Sequence, residues 1–84
     1  MFFVYILRSK KDSRFYIGMS QDVTKRLIQH NSGKTKSTKA FKPWILLHTE
    51  EFKTRQEARD REKYLKSGIG RSWIYRNWPR SSAE

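Results

Sequence analysis

Two short runs of aromatic and branched residues at the N-terminus, separated by a polar cluster, constrain the fold most strongly. Residues 2–8 (FFVYILR) and 14–20 (RFYIGMS) have the composition of β-strands. The cluster between them, Ser9–Ser13 (SKKDS), consists of residues that favour turns. The pattern therefore predicts an antiparallel β-hairpin at the start of the chain.

The register of this hairpin decides where its tyrosines point. If the turn is centred between Lys11 and Asp12, Tyr5 lies opposite Gly18, and Tyr16 is a diagonal neighbour of Tyr5 on the same face. A shift of one residue would place the two tyrosines on opposite faces. Tyrosines also commonly pack across strands, so this pairing is compatible with a core as well as with a functional site.

The rest of the chain continues the pattern as helix, strand, helix and helix. The first predicted helix runs from about Asp22 to Asn31; Asp22 or Ser20 caps it, and Gly33 follows it. A strand over Trp44–His48 and Phe52 comes after Pro43. The second helix runs from Arg55 to about Lys66, begins with a Thr54/Glu57 capping box and ends at Ser67-Gly68, and a short third helix over Arg71–Trp78 is closed by Pro79. The order β-β-α-β-α-α predicts an α+β fold, with a small three-stranded antiparallel sheet flanked by helices. We expect one domain over residues 1–84, with a short tail after about residue 79.

Composition excludes several classes of protein. The chain has no cysteine, which excludes a disulfide scaffold, a zinc finger and a thiol nucleophile. Its aromatic content of 14% argues against a disordered basic tail. The longest apolar run, residues 2–7, is too short to cross a membrane. We therefore expect a cytoplasmic protein without a membrane partner, and the net charge of +11 indicates that it binds a polyanion.

The positive charge is concentrated in one acid-free stretch between Asp22 and Glu50. Residues 32–42 are rich in Ser, Thr, Gly and Lys, and we call this segment the cationic loop. Lysines alternating with hydroxyl donors suit contacts with phosphate oxygens, although a solvated linker has a similar composition. The predicted nucleic-acid-binding residues of the stretch are Lys25, Lys34, Lys36, Lys39 and Lys42.

Glu62 is the acidic residue whose position is unusual. It follows Ala58 by four residues and precedes Leu65 by three, and we expect Ala58, Leu65 and Ile69 to mark the face of the helix that packs on the core. A carboxylate on that face is costly unless it is paired or binds a metal. An ion pair with a nearby arginine and a ligand facing a cleft are both consistent with this position.

Two further candidates lie on the first helix. Arg26 and His30 are four residues apart and therefore share a face. The chain has two histidines, and with one candidate carboxylate they do not make a zinc site, which needs three or four close ligands. The residues alone thus indicate a candidate cluster of Tyr5, Tyr16, Arg26, His30 and Glu62.

At these positions the sequence resembles the GIY-YIG endonuclease superfamily. Val4-Tyr5 stands in the first half of the motif, and Tyr16-Ile17-Gly18 matches the second half, with the two tyrosines eleven residues apart as in the family. Arg26 and Glu62 occupy the positions of the family arginine and of its metal-binding glutamate. The segment Arg26–Asn31, with Pro43-Trp44 later in the chain, resembles most closely the structure-specific nucleases and the small stand-alone bacterial members.

The resemblance implies a metal-dependent DNA endonuclease with the GIY-YIG fold, and its structure-specific branch implies branched or damaged DNA as the substrate. In it, Glu62 would hold Mg²⁺ or Mn²⁺, Tyr5 or Tyr16 would help to deprotonate the attacking water, and Arg26 would neutralise charge on the phosphate. His30 would orient a water or a tyrosine, or share a proton with one. A tyrosine has a pKa of about 10, and we expect the cations of the site to lower it.

Two departures from the family pattern are visible. Phe3 replaces the glycine that gives the first half of the motif its name. Family nucleases usually carry extra domains that select the DNA, and we expect a single domain in these 84 residues. We therefore expect that a protein partner supplies specificity. A non-catalytic nucleic-acid-binding module on the same fold is the main alternative, because the net charge of +11 predicts such binding equally well. A protein adaptor that docks through the cationic loop, Trp73 and Trp78 is a third, and it requires these tryptophans to be exposed.

Overall fold

A computed structural model describes residues 1–79 of the chain. Its strands are β1 (Phe2–Ser9), β2 (Phe15–Ser20) and β3 (Trp44–Phe52), and its helices are α1 (Val23–Ser32), α2 (Arg55–Lys66) and α3 (Gly68–Asn77), with a short 3₁₀ turn at Lys39–Phe41. The α+β fold and the order β-β-α-β-α-α are those predicted. The expected tail after about residue 79 lies outside the described residues.

The three strands form an antiparallel sheet in the order β2-β1-β3. Tyr5 pairs with Gly18 and Leu7 pairs with Tyr16, which is the register expected for a turn centred between Lys11 and Asp12. The central strand β1 also pairs with β3, with an irregularity after Ile6. Because side chains alternate along a strand, Tyr5 and Leu7 point to one face of the sheet, whereas Val4 and Ile6 point to the other.

Each face of the sheet carries its own apolar cluster. On one face Tyr5, Leu7 and Trp44 are buried and pack with Val23 and Leu27 of α1. The other face holds a larger cluster, which contains residues of β1, β2, α2 and α3: Val4, Ile6, Ile17, Ala58, Leu65 and Ile74. The sheet is thus covered on both faces, and the tyrosine face lies beneath α1.

The local signals for helix ends are confirmed at α1 and at the start of α2. Asp22 caps α1 by accepting a hydrogen bond from the backbone N–H of Lys25, and Gly33 ends it with a left-handed φ of 83°. The Thr54/Glu57 capping box is present at α2, with both reciprocal hydrogen bonds.

The chain after α2 departs from the sequence-based prediction. Ser67 ends α2 and also caps α3, which therefore begins at Gly68 rather than at Arg71. Ile69, expected on the core-facing side, belongs to α3 and is 71% exposed. The prediction failed there because the new helix changes direction after Ser67, so the spacing counted along α2 no longer applies. Gly68, placed in the helix stop, is instead the first residue of α3.

The cationic loop is folded rather than extended. Thr38 is buried in its middle, and the 3₁₀ turn follows directly. Trp73 of α3 and Trp78 at its C-cap are half-buried and pack on the larger apolar cluster, so they do not form the fully exposed surface that an adaptor would need. None of the helices among residues 1–79 is long and apolar enough to span a membrane.

Candidate active site

The two motif tyrosines lie side by side over Gly18. Their ring centroids are 6.3 Å apart, and both rings point to the α1 face of the sheet. A Cβ atom at Gly18 would lie 2.5 Å from the Tyr5 hydroxyl and 3.1 Å from Cε2 of Tyr16. A side chain at position 18 is therefore sterically excluded, and the glycine allows the Tyr5 phenol to lie directly over β2.

His30 joins the tyrosines to the cationic loop. It lies in the last turn of α1 and is fully buried. Its Nε2 is 3.1 Å from the Tyr5 hydroxyl, and its Nδ1 is 2.9 Å from Oγ1 of Thr38. The imidazole also contacts Tyr16, with ring centroids 4.7 Å apart. The structure thus brings Tyr5, Tyr16 and His30 together, and adds Thr38 to them.

The electrostatics of this cluster differ from expectation. Burial raises the pKa of Tyr5 above its usual value, and the nearby Arg26 guanidinium offsets this only in part. We had expected a lowered pKa, but desolvation of the buried phenol outweighs the cation. Burial, followed by the charge of Arg26, lowers the pKa of His30. Tyr5 and His30 therefore form a neutral hydrogen-bonded pair near pH 7.

Arg26 lies beside the tyrosines. Tyr5 is the main cause that raises the pKa of its guanidinium, and Tyr16 contributes to the same effect. One guanidinium nitrogen donates a 2.8 Å hydrogen bond to Oε1 of Gln29 on the next part of α1. Gln29 was not among the sequence candidates, although its spacing of three residues from Arg26 on a helix signals the contact. It fixes the arginine near the phenols.

Glu62 projects from α2 on the same side as Ala58 and Leu65, as predicted. Its side chain is 16% exposed and pairs with Lys66, whose Nζ lies 3.1 Å from the carboxylate. The partner is thus a lysine one helical turn away, not an arginine. Glu62 is close enough to Tyr5 to contribute to its raised pKa. Its effect is the smallest of the causes named, its hydrogen bond goes to Lys66, and the face that it shares with Ala58 and Leu65 packs on the side of the sheet opposite Tyr5.

Comparison with known proteins shows the family of this chain. Residues 1–75 match the family model described as the GIY-YIG catalytic domain. The chain belongs to the GIY-YIG family. This is a nuclease superfamily, and membership implies nucleic-acid binding.

Relatives extend the match along most of the GIY-YIG domain. A UPF0213 protein of Staphylococcus saprophyticus is 39% identical over 66 residues, which are 77% of this chain and 79% of the relative. The UPF0213 protein YazA of Bacillus subtilis is 40% identical over 65 residues, 76% of this chain and 65% of the relative. The solution structure of a UPF0213 protein from Bacillus halodurans has a TM-score of 0.55 and 33% identity, and the match covers 93% of this chain and 86% of that one.

The lysines predicted to bind phosphate remain at the surface of the GIY-YIG domain. Within residues 1–79, none of them forms a salt bridge: Lys25, Lys34, Lys36, Lys39 and Lys42 are all exposed. Lys11 of the hairpin turn reaches the same surface, because its Nζ donates a hydrogen bond to the carbonyl of Ala40. The β1–β2 turn thus contributes a positive charge next to the cationic loop. The sequence did not indicate this, because the turn and the loop are far apart along the chain.

His48, the other histidine, lies outside the tyrosine cluster. It pairs with Glu50, which in turn forms two hydrogen bonds with Arg61. Its ring packs against Trp73 and Trp78 on the α3 side of the sheet. This second polar group therefore ties β3 to α2 and α3.

Proposed function

We propose that this protein is a metal-dependent endonuclease that hydrolyses phosphodiester bonds in DNA. The observation that carries the proposal is the pair of motif phenols, whose ring centroids lie 6.3 Å apart. The Arg26 guanidinium lowers the pKa of the Tyr5 hydroxyl and Glu62 raises it, so both charges lie near this pair. Phosphodiester hydrolysis needs a positioned water, a cation at the phosphate and a ligand for a divalent metal. The cluster offers a residue for each.

The two phenols have different roles in this proposal. Tyr5 is 1% exposed, and its raised pKa keeps it protonated near pH 7. Tyr16 is only half-buried and is therefore the phenol that a water or a phosphate oxygen reaches. We assign contact with the attacking water to Tyr16, with Tyr5 and His30 behind it as a fixed pair.

Arg26 is the cation at the phosphate. Its guanidinium is always charged and presents several N–H donors in one plane, which suits two phosphate oxygens at once. As the water oxygen bonds to phosphorus and the bond to one sugar oxygen breaks, charge on the phosphate oxygens increases. A donor fixed by Gln29 beforehand stabilises that charge without reorganising.

Glu62 fits a hard divalent cation better than zinc. Among residues 1–79 no group of three His, Asp or Glu side chains is placed to hold a metal. Mg²⁺ and Mn²⁺ accept one or two carboxylates and complete their shells with waters and phosphate oxygens. When bound, such an ion would polarise the phosphate and lower the pKa of a coordinated water. The exposed Lys66 ammonium, which is 52% accessible, is a weak partner and can release the carboxylate.

The proposed substrate class is supported by the exposed lysines of the structure and by the resemblance to the structure-specific members of the family. The exposed lysines of the cationic loop support binding to a phosphate backbone rather than to particular bases. The preference for branched or damaged DNA rests on the resemblance to the structure-specific members of the family. A partner protein that selects the DNA is also part of the proposal, because family nucleases usually carry extra domains for this purpose.

Nicking of supercoiled and branched DNA with Mg²⁺ or Mn²⁺, repeated with EDTA, tests the function. We expect Glu62→Gln to reduce nicking about 100-fold or more, whereas DNA affinity stays the same or rises slightly because a negative charge is lost. Glu57→Gln is a matched control, because Gln also completes a capping box on the same helix. Full activity of Glu62→Gln would refute the assignment. Salt-sensitive binding without cleavage in any metal would instead identify a non-catalytic binding module.

A further inference from the structure

Thr38 is a buried side chain that the proposed chemistry does not yet use. It lies in the cationic loop between exposed lysines, but it is only 1% exposed. Its backbone carbonyl accepts a 3.0 Å hydrogen bond from Nε1 of the buried Trp44. The side chain is therefore held at a fixed place, with its hydroxyl 2.9 Å from Nδ1 of His30.

The donors and acceptors around this hydroxyl define a direction for its hydrogen. Thr38 Oγ1 lies 3.3 Å from the carbonyl of Thr35, which also accepts the backbone N–H groups of Thr38 and Lys39. The hydrogen bond to this carbonyl, which can only accept, uses the hydroxyl hydrogen of Thr38. The oxygen lone pairs of Thr38 then face His30 and accept its Nδ1–H.

The hydrogen bond between Tyr5 and His30 also favours a proton on Nδ1 of the imidazole rather than on Nε2. Within residues 1–79, the hydrogen bond of the buried Tyr5 hydroxyl is the one to Nε2 of His30. Arg26, which is close enough to lower the pKa of this hydroxyl, has donors only and cannot accept the phenol hydrogen. If Nε2 carried the imidazole proton, it would donate to the Tyr5 hydroxyl, and neither His30 nor Arg26 could then accept the phenol hydrogen. A bare Nε2 avoids this conflict.

We infer that Thr38 is a positioning residue that holds His30 as its Nδ1–H tautomer, so that the Tyr5 hydroxyl donates to His30 and turns its lone pairs toward Arg26. Its effect on catalysis rests on the proposed function, whereas its effect on the tautomer does not. The role resembles that of groups that orient a metal-bound histidine, whose loss costs about 10-fold to 100-fold in activity. The cationic loop thus supports the site as well as offering lysines to DNA.

The tautomer can be measured without any substrate. Two-bond ¹H–¹⁵N correlation spectra of histidine-labelled protein report which ring nitrogen is protonated, and a His48→Gln variant assigns the signals because the chain has two histidines. At pH 7.5 we expect wild-type His30 as the Nδ1–H tautomer. Thr38→Val, which keeps the shape but removes the hydroxyl, should populate the Nε2–H form, and Thr38→Ser should restore the wild-type spectrum. Thr24→Val, an exposed replacement on α1, should change nothing.

Activity provides a second reading of the same variants. We expect Thr38→Val to lower kcat about tenfold, with little change in KM for DNA, and Thr38→Ser to recover it. An Nε2–H tautomer in the wild-type protein, or a Thr38→Val spectrum identical to the wild type, would overturn the inference. If Thr38→Val does not fold, the wild-type and Thr38→Ser spectra still decide the tautomer. If the wild-type protein nicks no DNA, the proposed function fails while the spectra still decide the role of Thr38.

Discussion

Replacing Gly18 by alanine adds a single methyl group at the centre of the candidate active site. That methyl carbon would lie 2.5 Å from the Tyr5 hydroxyl, 2.6 Å from Cζ of the same ring and 3.1 Å from Cε2 of Tyr16. Rotating the hydroxyl does not relieve the contact, because ring carbons of both tyrosines are involved. The phenol of Tyr5 must therefore move as a whole.

The size of the effect follows from these distances. To reach ordinary contact at 3.4 Å or more, the Tyr5 oxygen must shift by about 1 Å, which is enough to break its 3.1 Å hydrogen bond with His30. Overpacking of this kind costs about 1–3 kcal/mol, and a lost buried hydrogen bond costs about 1 kcal/mol more. We expect the free energy of unfolding to fall by about 2–4 kcal/mol, and the melting temperature to fall by about 4–8 °C for each kcal/mol.

Urea unfolding followed by tryptophan fluorescence measures this loss, and DNA nicking measures the effect on the site. Gly68→Ala is the matched control, because a Cβ at Gly68 meets no atom within 4 Å. We expect this control to be as stable as the wild type or slightly more stable. If Gly18→Ala unfolds at the same urea concentration as Gly68→Ala, the close approach of Tyr5 to β2 is not a constraint and the reasoning fails.

Three further perturbations address charge. Burial alone would raise the pKa of Glu50, but Arg61 and His48 together outweigh it, and the pKa lies below its usual value. The stability that these partners add is present above about pH 4.3 and is lost as pH falls through the lower folded pKa. Arg61→Gln should therefore be less stable at pH 7 and lose less stability on acidification to pH 3, and equal acid sensitivity by circular dichroism would contradict this. Burial lowers the pKa of His30, so below about pH 6.5 the unfolded chain binds more protons than the folded protein does. The free energy of unfolding of the wild type should therefore decrease from pH 7 to pH 5. In urea titrations, His30→Gln should show a shallower decrease. Replacing both Lys36 and Lys39 by Gln should reduce the slope of log K for DNA against log salt by about 2, and an unchanged slope in fluorescence anisotropy would remove the cationic loop from the interface.

Features that depend on neighbours along the chain could be predicted well. The hairpin follows from a turn-forming cluster between two strand patterns, and its register is the one expected for a turn centred between Lys11 and Asp12. The α2 start follows from the capping box at Thr54. Where the chain changes direction, local spacing fails: α3 begins at Gly68, so Ile69 is exposed instead of facing the core. The helix face of Glu62 lies within one uninterrupted helix and was therefore predicted correctly.

The sequence by itself thus determined the order of elements and the charge of +11, which favours a polyanionic partner. It made the common face of Tyr5 and Tyr16 conditional on the hairpin register, which the structure then confirmed. These properties are set by turn residues, periodicity and composition, which do not depend on how distant segments pack. Only the tertiary structure decided that Thr38 lies inside beside His30 and that burial raises the pKa of Tyr5. Both are consequences of desolvation and contact between segments far apart in the chain, because the same residue types are exposed and solvated in an isolated segment.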